Sequence, residues 1–345
     1  MSAQPDVVVV GAGIIGLSVA HHLTERGASV KVLERAGIAA GASGLQPGGV
    51  RQQWGTRINC LLAQESLAFY SDAGERLRMR VDPGFRTCGY LFLAHSDDAL
   101  TLLRQNVELQ NGLGVRSRTV SPAEAAELVP GLETSGIVGA AWSGEDGYFD
   151  RPQAFVEALG ALVDVRIEEV TDVDDVSADA VVVAAGVDTP KLLPELPITT
   201  ERRDLFFSDP IRERLLEPLV VSAERAFASK QLADGRVLAS DLREGSRANV
   251  QRGFEELLPR LVFVPLPTLV EGLYDVTPDH QPILGQVRDR VWVAAGFSGR
   301  GFMQAPAVGR IIAESVLGEA HDPALDFFDA TRFGEGRLVP EPSVV

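Results

Sequence analysis

Residues 6–34 read DVVVVGAGIIGLSVAHHLTERGASVKVLE, and this stretch decides the fold. Four valines follow Asp6, a run suited to a strand buried on both faces. Glycines come at once, and the spacing then predicts a helix over 14–26 that Gly27 ends. Ser29 to Leu33 reads as a second buried strand, closed by Glu34. Strand, helix and strand within roughly 30 residues demand a right-handed crossover and a parallel pair.

Gly11-Ala12-Gly13-Ile14-Ile15-Gly16 matches G-x-G-x-x-G in the required setting. Gly11 permits a tight turn, Gly13 lets a pyrophosphate approach the backbone, and Gly16 lets helix pack on strand. The helix start, at Ile14 and Ile15, presents N–H groups and the positive end of the helix dipole to phosphate. Glu34 stands where a carboxylate accepts hydrogen bonds from the adenosine ribose and repels a 2′-phosphate. The residues thus predict dinucleotide binding. The glycine motif alone does not separate FAD from NAD.

Outward from this unit, residues 37–55 form a Gly-rich loop, and helices are expected over 56–79, 97–113, 152–163 and 302–317. Strands are expected over 90–94, 136–142, 180–185 and 291–295. The stretch 197–245 alternates apolar and polar residues with turn signals and reads as antiparallel sheet. The fold class expected is therefore α/β (α+β overall). A Rossmann-type domain with three-layer β/β/α character would be made of 1–84, 142–196 and 273–322. A substrate domain on a mostly antiparallel sheet would occupy 85–141 and 197–272. The segment 323–345 is expected to be a surface tail.

Composition excludes several function classes. The formal net charge of −16 disfavours nucleic acid and anionic lipid as partners. Cys60 and Cys88 form no Cys-x-x-Cys pair and the five histidines no ligand cluster, so neither a disulfide framework nor a metal site is expected. No apolar run reaches transmembrane length and residues 1–5 are polar, so a cytoplasmic location is expected.

Four blocks, in order, resemble the D-amino-acid oxidase / glycine oxidase / sarcosine oxidase superfamily of flavoproteins. They are GAGIIGLSVAHHL with VLER (11–23 and 32–35), GASGLQPGGVRQQWG (41–55), GLYDVTPDHQPILG (272–285) and VWVAAGFSGRGFMQAPAVGRIIAESV (291–316). The last two look most like β-subunits of sarcosine oxidases and proline dehydrogenases. The resemblance covers nearly the whole chain and is weakest over 195–270. It implies FAD as cofactor. Gly11, Gly13, Ile14, Ile15, Gly16, Glu34, Arg35 and Ser43 would hold the ADP half, and Val170 the adenine. Ala185 and Gly186 would line the pyrophosphate path. Gly48 and Gly49, in the loop laid over the flavin, and Gly299, Arg300, Gly301, Phe302 and Met303 would sit beside the ring. The dipole of the last helix suits negative charge on reduced flavin.

The chemistry implied is oxidation of a C–N bond by hydride transfer to flavin N5, so no catalytic triad is sought. A cation to clamp a carboxylate is sought instead. Arg51, Tyr274 and Arg300 are the catalytic-site candidates. Relatives commonly have His where this chain has Arg300. Monomeric sarcosine oxidases attach flavin through a Cys at the position of Gly272 and use a Lys at that of Met303. Non-covalent FAD is therefore expected. Asp279 and His280 are read as more often structural than acid/base residues, and Asp146 as a turn residue.

The reading is a flavoenzyme acting on sarcosine, proline, glycine or a D-amino acid. Its electron acceptor would be oxygen, a quinone or another protein. The segments 162–170 and 195–230 are short for the family. That motivates the alternative of an FAD-carrying subunit that needs a partner. An NAD-dependent dehydrogenase is the remaining alternative.

Overall fold

A computed structural model describes residues 6–243 and 245–341. The valine run Asp6–Val10 sits inside a six-stranded sheet. The spatial order is Ile283–Arg288, Val291–Ala295, Ala180–Val183, Asp6–Val10, Ser29–Glu34 and Asp164–Ile167. All neighbours are parallel except the hairpin formed by the first two. Val8 pairs with Val181 on one side and Lys31 on the other. The centre of this sheet is covered on both faces, so Val7–Val10, Ala180–Val183 and Val291–Ala295 are apolar throughout rather than alternating, while the outer strands carry charged residues such as Lys31 and Arg166. On one face lie the helices Ile14–Glu25, Arg57–Arg76, Gln153–Ala161 and Gly301–Leu317, burying Leu17, Leu23, Phe155 and Ile312. On the other, Leu193, Leu196 and Ile198 pack on Val10, Val181 and Val293. Each such side chain contributes about 1.5–3 kcal/mol when fully buried.

A second sheet has eight strands. Their order is Thr268–Val276, Thr199–Phe207, Val237–Asp241, Phe227–Gln231, Leu219–Ser222, Tyr90–Ala94, Gly139–Ser143 and Arg118–Val120. It is antiparallel apart from one parallel pair, Leu219–Ser222 beside Tyr90–Ala94. Phe206, Val220, Phe227 and Ala239 form one core with Val250 and Phe254 of the helix Arg247–Leu257. Ser246 caps that helix by accepting from the Asn249 amide. Strand alternation turns Tyr90, Phe92 and Lys230 to the opposite face, toward the loop 47–54. A small antiparallel sheet of Gly49–Val50, Gly147–Phe149 and Phe85–Arg86 lies between the two larger ones in sequence.

The C-terminal segment departs from expectation. It is not a surface appendage. Phe328 is fully buried, and Arg332, 1% exposed, donates to both carboxylate oxygens of Asp279 at 2.8 and 3.0 Å. Glu341 is also buried. The polar side chains of this segment find buried partners that lie far away in sequence, so composition alone did not reveal the docking. No helix among the described residues is long and apolar enough to cross a membrane.

Candidate active site

The glycine turn is shaped by contacts that only glycine permits. Gly11 has φ +111°, and a Cβ there would lie 2.4 Å from the Ala184 carbonyl oxygen. A Cβ on Gly16 would lie 2.0 Å from the oxygen of Gly11. The turn is therefore pinned between its own helix and the end of the strand Ala180–Val183, which leads into Ala185 and Gly186. Glu34 closes the far side: its carboxylate accepts the Ala12 amide at 2.8 Å and the Ala36 amide at 2.9 Å. Ser43 Oγ accepts the Ile14 amide at 2.9 Å, meeting one of the donors that a helix start leaves unpaired. Arg35 is half exposed and pairs with Asp188 at 2.6 Å. Val170 packs, partly buried, on the core under Val10 and Leu33.

The second cluster lies where the loop 47–54 meets the eight-stranded sheet and the last long helix. Arg51 is 4% exposed. Its guanidinium stacks over the Trp54 ring at 3.6 Å and reaches the Phe92 ring at 5.1 Å, and it donates to the Gln53 carbonyl. Arg300, 3% exposed, approaches the same Trp54 ring at 5.4 Å. Arg300 donates to the Phe297 carbonyl through Nε at 3.3 Å and to Gln281 Oε1 through Nη1 at 3.2 Å. Its Nη2 is buried without a hydrogen-bond partner. Burial, reinforced by the Arg51 charge, lowers the Arg300 pKa to about 10 against the opposing pull of Glu341 and Asp279. Asp146 sits in a turn, as its Asp-Gly dipeptide implies, yet it is wholly buried. Its carboxylate accepts the Gln52 amide at 2.8 Å and Gln53 Nε2 at 3.0 Å, and burial pushes its pKa up to about 6.

Tyr274 stands apart from this arginine pair. With Glu201, Arg203, Arg243, His280 and Ser298 it lines a cavity of about 400 Å³, and Arg51 and Arg300 lie outside it. The Arg203 guanidinium is 5.6 Å from the Tyr274 ring. That ring presses on Gly299, where a Cβ would come within 2.3 Å of it, so the backbone before the last long helix is held against the phenol. Gly301 opens that helix. Phe302 stacks on Tyr70 at 4.9 Å, and Met303 touches the Trp54 cluster. Gly48, at φ +80°, lies against the Phe149 carbonyl, and Gly49 lies beneath the Tyr90 hydroxyl. The three catalytic candidates thus fall in two places joined by the 298–300 turn.

The sequence profile of the family described as FAD dependent oxidoreductase (DAO) matches residues 6–315. The chain belongs to the DAO family. FAD-dependent oxidoreductase domain-containing protein 1 of Bos taurus is 27% identical to this DAO-family chain, with 96% of this chain and 86% of that protein covered. Sarcosine oxidase subunit beta of Rhodobacter capsulatus is 24% identical, with 97% and 90% covered. Among solved structures, L-proline dehydrogenase from P. horikoshii superposes with TM-score 0.87 at 26% identity, covering 98% of this chain and all of that one.

The protein is therefore an FAD-dependent oxidoreductase, and the nicotinamide dehydrogenase reading is set aside. The residues present fit FAD. The cradle has no room for side chains at Gly11 and Gly16 and is crowded by Ser43 Oγ at Gly13, and a helix start and a carboxylate flank it. Neither cysteine is activated: burial raises the Cys60 pKa to about 11 and also lifts that of Cys88. Asp279 serves Arg332, and His280 lines the cavity with φ +56°. Among the described residues no cluster of His, Cys, Asp and Glu is placed to hold a metal.

Sequence reasoning missed three residues here. Trp54 joins the two arginines, and its place in QQWG was the available signal. Lys230 is 1% exposed, donates to the Pro47 carbonyl at 3.1 Å and lies 4.0 Å from the Tyr148 ring. Its position in an alternating strand gave no sign of this, because its partners come from remote segments. Glu341 gave no signal at all.

Proposed function

We propose that this enzyme oxidises the C–N bond of a small amino acid or secondary amine whose carboxylate is gripped by Arg51 with Arg300. The observation that carries this reading is the buried pair of arginines sharing Trp54, one with an unpaired Nη2. Two guanidinium groups kept out of water are costly unless an anion meets them, and planar forks match a carboxylate. Gly11, Gly13, Ile14, Ile15, Gly16, Glu34, Arg35, Ser43, Val170, Ala185 and Gly186 would hold the adenosine and pyrophosphate of FAD. Gly48, Gly49 and residues 299–303 would lie along its ring. Bound FAD supplies the hydride acceptor. The chain's residues supply orientation: the arginines fix the carboxylate, Tyr274 and Arg203 shape the adjoining cavity, and Trp54 and Phe92 exclude water. That cavity suits a small molecule.

Anaerobic addition of sarcosine, L-proline, glycine and D-alanine tests the reading. Bleaching of the visible flavin bands by one of them, and not by its carboxylate-free counterpart (pyrrolidine for proline), is expected. Equal bleaching by pyrrolidine would remove the arginines from substrate recognition.

A second reading is an FAD-carrying subunit that turns over only beside a partner. Its support is the sheet-edge strand Thr268–Val276, which leaves Leu269 and Leu273 exposed, and the adjacent, almost fully exposed Phe263. The similarity to a sarcosine oxidase β-subunit points the same way. Flavin reduced by no amine until a partner is added would favour it.

A further inference from the structure

The arginine pair already has a carboxylate beside it, and that carboxylate belongs to the chain itself. Glu341 Oε1 accepts the Gly55 amide at 2.6 Å. Its Oε2 accepts the Thr56 hydroxyl at 2.9 Å and Asn59 Nδ2 at 2.7 Å. These donors form the head of the helix Arg57–Arg76, where the dipole favours an anion. Both Arg51 and Arg300 interact electrostatically with Glu341. Around it the polar groups interlock. Asn59 Nδ2 also donates to Gln281 Oε1 at 3.0 Å, Arg300 Nη1 donates to the same oxygen, and Gln304 donates to Asn59 at 2.8 Å.

The segment that delivers Glu341 runs along the surface. Leu338 and Val339 are 45% and 39% exposed, while Glu341 is 4% exposed. Gln281 Nε2 anchors the segment by donating to the Val339 carbonyl at 3.1 Å. The side chain enters a built anion site from an exposed strap. Arg300 Nη2, buried and unpaired, shows that the site retains a donor that Glu341 does not use.

We propose that Glu341 is the resident ligand of a monocarboxylate site built from Arg51, Gly55, Thr56, Asn59 and Arg300, and that a substrate carboxylate enters by exchanging with it. The proposal rests on the reading of the arginines as the substrate's carboxylate clamp. It makes Glu341 a determinant of specificity: a ligand must outcompete a tethered carboxylate, whose effective concentration is of order millimolar or higher for a short tether.

The test uses the FAD-loaded protein and titrates it with acetate, and with acetamide as the neutral match, following the visible flavin spectrum. The proteins are the parent, Glu341→Gln, Arg51→Gln, a chain ending at Arg337, and Glu341→Gln combined with Arg51→Gln. The expected result is acetate affinity at least about tenfold higher in Glu341→Gln and in the shortened chain, with acetamide unchanged. The gain should vanish when Arg51 is also replaced. Acetate affinity equal in parent and Glu341→Gln, yet weakened by Arg51→Gln alone, overturns the exchange and leaves the carboxylate clamp standing. Acetate without effect on any of them overturns both. An equal gain for acetamide means simple opening of space and overturns the exchange. Should the shortened chain fail to retain FAD, the near-isosteric Gln variant decides.

Discussion

The Arg51 guanidinium lies 3.6 Å above the Trp54 ring, and the Arg300 guanidinium approaches the same ring at 5.4 Å. One indole therefore holds two cations whose mutual repulsion an anion relieves. Arg51→Gln should lower kcat/KM for a carboxylate-bearing amine about 10- to 150-fold, the range that corresponds to ~1.5–3 kcal/mol for hydrogen bonds to a charged group. Trp54→Leu should raise KM about 5- to 30-fold through loss of ~1–2 kcal/mol of cation–π attraction. Both variants should keep stoichiometric FAD. Unchanged steady-state kinetics in Arg51→Gln would remove that residue from the site.

The glycine cradle gives a paired experiment. Gly16→Ala places a methyl 2.0 Å from a backbone oxygen that the turn cannot move, whereas Gly37→Ala meets nothing within 4 Å. The first should abolish FAD retention or folding, and the second should change stability by less than about 0.5 kcal/mol. Glu34→Gln keeps the size of the side chain but removes the charge facing the Ala12 and Ala36 amides. Titration of apoprotein with FAD, followed by flavin fluorescence, should show affinity about 10- to 100-fold weaker, equivalent to ~1.5–3 kcal/mol.

Much of this cradle was legible in the sequence because its motif is compact. Four valines bury, three glycines fall within six residues, and a carboxylate follows at a fixed distance, although the neighbours that Gly11 and Gly13 make room for, Ala184 and Ser43, lie far along the chain. The last long helix was legible for the same reason. What stayed hidden depends on long-range placement. Lys230 looks like the polar half of an alternating strand until Pro47 and Tyr148 cover it. Asp279 finds Arg332, and Glu341 finds Asn59, across separations that no periodicity encodes. The parallel pairing of Leu219–Ser222 with Tyr90–Ala94 is likewise a property of topology, and each strand alone reads the same either way.

The cysteines bear on flavin attachment. Cys60 is buried, donates weakly to the Trp54 carbonyl, and has its pKa raised by burial to about 11; Cys88 is also raised. Thiols held protonated are poor nucleophiles, and Gly272 has no side chain. Acid precipitation should release intact FAD into the supernatant. Flavin that stays with the precipitated polypeptide would contradict this.

Two adjacent histidines on the first helix set an acid limit on stability. His21 and His22 are buried against Phe69 and each other. Burial lowers both pKa values, that of His22 to about 3, with Glu25 pulling against the shift at His21. The unfolded chain takes up a proton at His22 near pH 6.5, whereas the folded chain resists until about pH 3. Stability therefore rises with pH across that window and is lost as pH falls, by up to ~1.4 kcal/mol per unit for one such group. Thermal melting followed from pH 7 to pH 4 should show a falling Tm, and His22→Phe should flatten the slope. An unaltered slope in that variant would locate the acid lability elsewhere.

The six-stranded sheet also dictates when the protein can become itself during synthesis. Its neighbours Asp6–Val10, Ala180–Val183 and Val291–Ala295 lie at the beginning, middle and end of the chain. At roughly 5–20 residues per second, the ribosome delivers the last of them tens of seconds after the first. Throughout that interval the opening valine strand waits without its full set of neighbours, a sticky edge exposed to every other nascent chain. Slower elongation lengthens the wait, and a chaperone that shields residues 6–10 until Val291 emerges shortens the exposure. Yield in the cell is thus governed by the order in which the chain is made as much as by the stability of what it finally forms.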